Sequence, residues 1–159
     1  MTTPATTPST PPPRARSRAV RAHTSLLPYV LALIGATAVL HLLIMLSDNR
    51  ITVLTTLPLV VIALGYAIYL VALGRPLGQV RYGQLVAHAL TYAVINVGYL
   101  LHAFVLIASG SPAVRGDSHL ALDAGWFGAT FGMATFWGIG LILHGLGALL
   151  GRGFETPRA

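Results

Sequence analysis

The chain has no cysteine and very little charge. Lacking cysteine, it can build no disulfide framework, no thiolate metal site and no iron–sulfur cluster. Only 9% of its 159 residues are charged, where a soluble domain carries about 25%. The shortfall is concentrated in four apolar runs, at about 26–46, 51–73, 85–108 and 124–150, none of which contains Asp, Glu, Lys or Arg. Each reaches the roughly 20 residues that a helix needs to cross a hydrocarbon core about 30 Å thick. Backbone polar groups in lipid must pair within their own segment, and these runs are too uniformly apolar for barrel strands. With 55% hydrophobic residues and a mean hydropathy of +0.74, the expectation is an all-α membrane protein with four transmembrane helices.

Acidic residues are the scarcer sign, and the resulting balance of +6 invites a nucleic-acid reading. Position argues otherwise. Arg14, Arg16, Arg18 and Arg21 precede the first run, Arg75 and Arg81 separate the second from the third, and Arg152 and Arg158 follow the fourth. Arg50 and Arg115 fall on the opposite side, together with Asp48, Asp117 and Asp123. This asymmetry is the positive-inside pattern, which predicts both termini in the cytoplasm of a bacterial inner (cytoplasmic) membrane protein. The basic arm can also rest on anionic lipid.

Residues 1–24, rich in Thr, Pro and then Arg, read as a disordered cytoplasmic arm. The apolar run behind it is membrane-length and lacks a persuasive cleavage site, so it reads as an uncleaved first span. Residues 25–74 form a first hairpin, residues 75–151 a second, and residues 152–159 a cytoplasmic tail. Short connections favour antiparallel neighbours, hence an up-down-up-down four-helix bundle. The halves repeat loosely: Tyr29 and Tyr92, His41 and His102, and a final Gly-Arg at residues 74–75 and 151–152. Pro58 should bend the second helix. Gly128 and Gly132, and likewise Gly147 and Gly151, are small-xxx-small pairs that let another backbone approach, either within the chain or in a homo-oligomer or membrane partner. Thr37, Thr55, Thr56, Thr130 and Thr135 read as interhelical hydrogen-bond groups.

Imidazoles are the main polar content of the spans. His88 and His102 lie fourteen residues apart on one helix, which leaves an angular offset of about 40° and an axial separation of about 21 Å. His144 sits eight residues before Arg152, and His41 six before Ser47. The four therefore fall into an inner pair, His88 with His144, and an outer pair, His41 with His102. Ionisable residues inside a membrane tend to face the bundle interior and to mark function. The plain alternative is an interhelical hydrogen bond from each, with Tyr66, Tyr69, Tyr92, Asn96 or a backbone carbonyl as partner. On the fourth helix Trp126, Met133, Trp137 and His144 share one stripe, suited to a flat cofactor or to an aromatic packing seam. His119, beside Asp117 and Asp123 in the outer loop, is a candidate for a weak surface ion.

The spacing of His88 and His102 resembles the haem-bearing helices of the cytochrome b class, in which two histidines on one membrane helix each bind a different haem. That resemblance implies bis-histidine ligation of one or two b-type haems, with iron held by His88 and His144 inside and by His41 and His102 outside. Tyr92, Tyr99 and Trp137 would lie around the ligands. In the class the spacing recurs on a second helix; here the partners are split between His41 and His144. A second resemblance covers about residues 85–151. His88, Tyr92 and Asn96, followed by Trp137, Gly138, Gly140, Leu141 and His144, look like the 2TM-domain family of bacterial membrane hairpins. It implies an integral membrane module of varied context and no settled activity; the first hairpin lacks the matching Asn and Trp.

No embedded carboxylate, nucleophile–base pair, P-loop or dinucleotide fingerprint is present in the sequence, so no catalytic activity is expected. Two functional readings stand. One is transmembrane electron transfer through haem b. The other is a cofactor-free, 2TM-like accessory or regulatory module of a larger membrane complex.

Overall fold

The computed structural model describes residues 13–150 except 73, 79, 81 and 117–121; for 13–23, 25, 75 and 76 it describes the backbone alone. The described chain is helical, and four helices have the length and composition to cross a membrane: Leu26–Leu46, Val53–Ala72, Gly83–Ala108 and Ala124–Leu150, of 21, 20, 26 and 27 residues. They follow the four apolar runs closely. The first is the apolar part of a longer helix, α1 (Pro13–Leu46). The second is α2 (Val53–Ala72), which carries Pro58 without ending there. A single turn, α3 (Arg75–Gly78), leads to the third span, α4 (Gly83–Ala108). The fourth span starts as α5 (Ala124–Phe127), passes through a π-helical turn (Gly128–Gly132) and continues as α6 (Met133–Leu150).

Local chemistry explains the ends. Thr52 and Thr55 cap α2 reciprocally: the Thr52 hydroxyl accepts from the Thr55 amide at 3.3 Å, and the Thr55 hydroxyl accepts from the Thr52 amide at 2.8 Å. Asp123 caps α5, its carboxylate accepting from the amides of Gly125 and Trp126 at 2.9 and 3.3 Å. Asp48 and Asn49, in the turn after α1, take left-handed φ values of 55° and 58°, a conformation that short polar side chains tolerate better than most.

The structure corrects the sequence reading at several points. The arm is not unstructured throughout: the helix begins at Pro13. Extending an existing helix through Arg and Ala avoids the cost of a new nucleus. Residues 1–12 and the tail from 151 lie outside the described residues, as does the proposed ion site at His119 and Asp117. The third span starts two residues earlier than read. The π turn was not foreseen, since hydrophobic periodicity does not register one inserted residue.

The packing includes more than the antiparallel neighbours that short connections predict. Within each hairpin the spans meet as antiparallel neighbours: Tyr29 meets Tyr66 and Tyr69 across α1 and α2, and His88 meets His144 and Tyr92 meets Trp137 across α4 and α6. A further extensive contact, however, joins α1 to α4. These two are parallel, because Tyr29 pairs with Thr91 near one end and His41 with His102 near the other. The first and third spans are therefore direct neighbours. Gly98 permits the approach: a Cβ there would stand 2.7 Å from His41 Nε2 and 3.1 Å from Thr37 Cγ2. The core runs along this seam through Leu33, Leu40, Ile44, Ile95, Tyr99 and Ala103. By contrast α6 has no fully buried residue, and Cβ atoms on Gly128 and Gly132 would meet nothing within 4 Å. A methyl group at either position would thus meet nothing else in the described chain, Gly128 being exposed and Gly132 half-buried.

Candidate functional site

The polar side chains within the apolar helices gather at two levels. The Asn49 level is organised around the parallel seam. His41 leaves α1 and His102 leaves α4, and their Nδ1 atoms stand 3.1 Å apart. His102 Nε2 is 3.0 Å from Asn49 Oδ1. With that oxygen as acceptor, His102 carries its proton on Nε2 and accepts at Nδ1, so His41 donates from Nδ1. His41 Nε2 is then an unprotonated, buried nitrogen with no partner, lying over Gly98. Aromatic edges close the cluster: Tyr99 against His41 and Trp126 against His102, each with ring centroids 5.0 Å apart and planes at 74°. Trp126 is completely buried and donates from Nε1 to the Asn49 carbonyl at 2.9 Å. Gly125 lets this end of α5 approach the α1–α2 turn, since a Cβ would meet Ile51 Cβ and Ile51 O at 2.9 Å.

At the Arg75 level the group is built of phenols and the other histidine pair. Thr91 donates to the Ala87 carbonyl at 2.7 Å, so it receives the Tyr29 hydroxyl, 2.6 Å away, as an acceptor. Tyr29 stacks on Tyr69 with centroids 4.1 Å apart and planes at 14°. Tyr66 places its ring edge-on to His88 at 5.4 Å and 85°. His88 Nδ1 donates to the Gln84 carbonyl at 2.8 Å, which fixes the tautomer and leaves Nε2 as the lone-pair nitrogen. The His88 and His144 rings are 4.7 Å apart and tilted by 36°. His144 is exposed and His88 half-buried.

Both histidine pairs named from the sequence thus come together, each at its own level. Their spacing bears on what they can hold. Two imidazoles on opposite sides of one iron stand about 4 Å apart at their nitrogens, given metal–nitrogen bonds of about 2 Å, with the macrocycle between them. His41 and His102 instead share a hydrogen bond, and His102 uses both ring nitrogens. A centroid distance of 4.7 Å for His88 and His144 is that of rings in direct contact. With the rings as they stand, neither pair leaves a slot for a haem. Among the described residues, no three His, Cys, Asp or Glu side chains gather around a common point.

The remaining sequence candidates also find places. Tyr99 contacts His41, as above. Tyr92 meets Trp137 at 6.2 Å with planes at 84°, and its hydroxyl donates to the Ala134 carbonyl at 3.3 Å. Gly138 faces that hydroxyl: a Cβ would stand 3.3 Å from it. Tyr92, Trp137 and Gly138, three residues of the 2TM-like pattern, therefore meet along the α4–α6 contact. Asn96 bonds its own helix, donating to the Tyr92 carbonyl at 2.8 Å. Sequence reasoning missed Asn49, Thr91, Gln84 and Gly98. A polar residue in a tight four-residue turn was the available signal for Asn49; a helical carbonyl such as that of Gln84 leaves none.

No family model matches the chain, and neither a curated protein nor a solved structure matches it.

Proposed function

We propose that the chain is a cofactor-free accessory module of a larger membrane complex, with its histidines serving as internal struts. The observation that carries this reading is the 3.1 Å hydrogen bond between His41 and His102, extended to Asn49. It supports imidazoles engaged by each other and by the turn, with His41 Nε2 alone left without a partner. The arginine asymmetry supports an up-down-up-down topology with both termini in the cytoplasm of a bacterial inner membrane. The contacts of His88 with His144 and of Tyr92 with Trp137 support a 2TM-like second hairpin over about residues 85–151. Gly128 and Gly132, where an added Cβ would meet nothing within 4 Å, are the surface this reading assigns to a membrane partner.

Extraction in mild detergent tests it. The tagged chain should bring down one membrane protein in a fixed ratio, and Gly128→Leu with Gly132→Leu should release it. A lone monomer in both preparations contradicts the proposal.

A second reading keeps His88, His144, His41 and His102 as ligands of one or two b-type haems in transmembrane electron transfer. It is favoured by the pairing of the four rings at two separate levels. It requires each pair to open, and its optical signature separates it from the first.

A further inference from the structure

The two histidine levels differ in what their ring nitrogens do. Along the α4–α6 contact the order is antiparallel: a Cβ on Gly145 would stand 3.8 Å from Leu85, His88 meets His144, and Tyr92 meets Trp137. This approach brings imidazoles from two helices to a centroid distance of 4.7 Å. At the Asn49 level the facing nitrogens are spent on each other; here they are not. His88 gives its Nδ1 proton to the Gln84 carbonyl. A carbonyl holding one ring nitrogen is a usual partner of a metal-ligating histidine, because it orients the ring and makes the other nitrogen more basic. His144 forms no hydrogen bond among the described residues.

Separation and depth suit an ion. Imidazole nitrogens bind late first-row metals at about 2.0–2.1 Å, which sets each ring centroid about 3.2 Å from the ion. Two imidazoles on adjacent corners of a tetrahedron or octahedron then have centroids about 4.5–5.2 Å apart, against about 6 Å on opposite sides. The observed 4.7 Å falls in the first range. Helix α4 and the fourth span, of 26 and 27 residues, are longer than the roughly 20 that cross the hydrocarbon. His88 and His144 stand five and six residues inside their ends, a depth of about 8–9 Å, and His144 is exposed. We propose that His88 and His144 chelate one exchangeable divalent ion of the zinc, nickel or copper class, for which imidazole is a suitable ligand, with water in the remaining positions. Two protein ligands hold an ion weakly enough to exchange, unlike the four of a structural zinc. The ion pins α4 to α6 at this end. The inference rests on reading this pair as a strut between helices and makes that strut adjustable; it needs no resident cofactor.

The test uses the full chain in detergent, purified through a tag without histidine and freed of metal by a chelator. Zn²⁺ is titrated by calorimetry, with Mg²⁺ as the control. One Zn²⁺ should bind per chain and raise the thermal unfolding midpoint; Mg²⁺, which prefers oxygen ligands, should do neither. His88→Ala and His144→Ala, each checked for helicity by circular dichroism, should weaken binding at least about ten-fold and remove the rise in midpoint. His23→Ala combined with His119→Ala should leave both unchanged. With Cu²⁺ in less than equimolar amount, the electron paramagnetic resonance spectrum should show coupling to two imidazole nitrogens. The proposal is overturned if the parent chain binds no Zn²⁺, or if its Cu²⁺ couples to one nitrogen only. Full binding in both His88→Ala and His144→Ala, or its loss in the His23 and His119 variant, overturns it equally. The partner pulldown, repeated with chelator present, reports on Gly128 and Gly132 alone, so the two proposals fail separately.

Discussion

At the scale of single residues, the two histidine levels call for different responses to mutation. His102 bonds across two helices and to the α1–α2 turn, so His102→Ala leaves the His41 donor and Asn49 without their partner. A loss of about 1–2 kcal/mol is expected for removing such interhelical bonds, read as a lowered unfolding midpoint in detergent. His88 bonds a carbonyl of its own helix, and His88→Ala should cost less than half as much in the same assay. Gly98→Ala places a methyl group 2.7 Å from His41 Nε2 and should destabilise by about 1–3 kcal/mol through overpacking. Gly140→Ala, where a Cβ meets nothing within 4 Å, should stay within about 0.5 kcal/mol of the parent. Equal effects of the two glycine substitutions would contradict the seam described between α1 and α4. The four histidines were legible in the sequence because ionisable groups stand out in apolar runs. Their spacing was not: a period of about 3.6 residues gives depth and face, while ring-to-ring distance depends on a glycine in the opposite helix.

At the scale of elements, the sequence revealed spans better than neighbours. Apolar length located all four helices, because lipid imposes the same requirement on each. Which helices touch is decided by small residues and polar pairs whose partners are far away in sequence. Connection length pointed to antiparallel contacts, and the parallel α1–α4 seam forms beside them because Tyr29 with Thr91 and His41 with His102 bind it at both ends. The predicted consequence is spectroscopic. Spin labels on exposed positions of α1 and α4 should report distances that change together when Tyr29→Phe and His102→Ala are combined, and little when either is made alone. The π turn at Gly128–Gly132 widens the fourth span where Trp126 must reach the Asn49 carbonyl while α6 still presents Trp137 to Tyr92. Deleting Ala129 should restore α-helical register there and rotate one of these two tryptophans away, seen as a shift of its fluorescence maximum to longer wavelength.

At the scale of the whole molecule, the absence of cysteine makes orientation directly accessible. A single Cys at Ala113, between the third and fourth spans, should react with an impermeant maleimide in intact cells. A Cys at Ser9 should react only after the membrane is opened. The reverse pattern would overturn the arginine-based orientation.

The proposed role rests on imidazoles that close on each other. The most direct test is the absorption spectrum of the chain purified from haem-replete cells, recorded oxidised and reduced, before and after haem is added. The spectrum should show only aromatic absorption from the protein, with free haem alone after the addition. A Soret band with a sharp reduced α-band, lost in His144→Ala or His102→Ala variants that still fold, would contradict it.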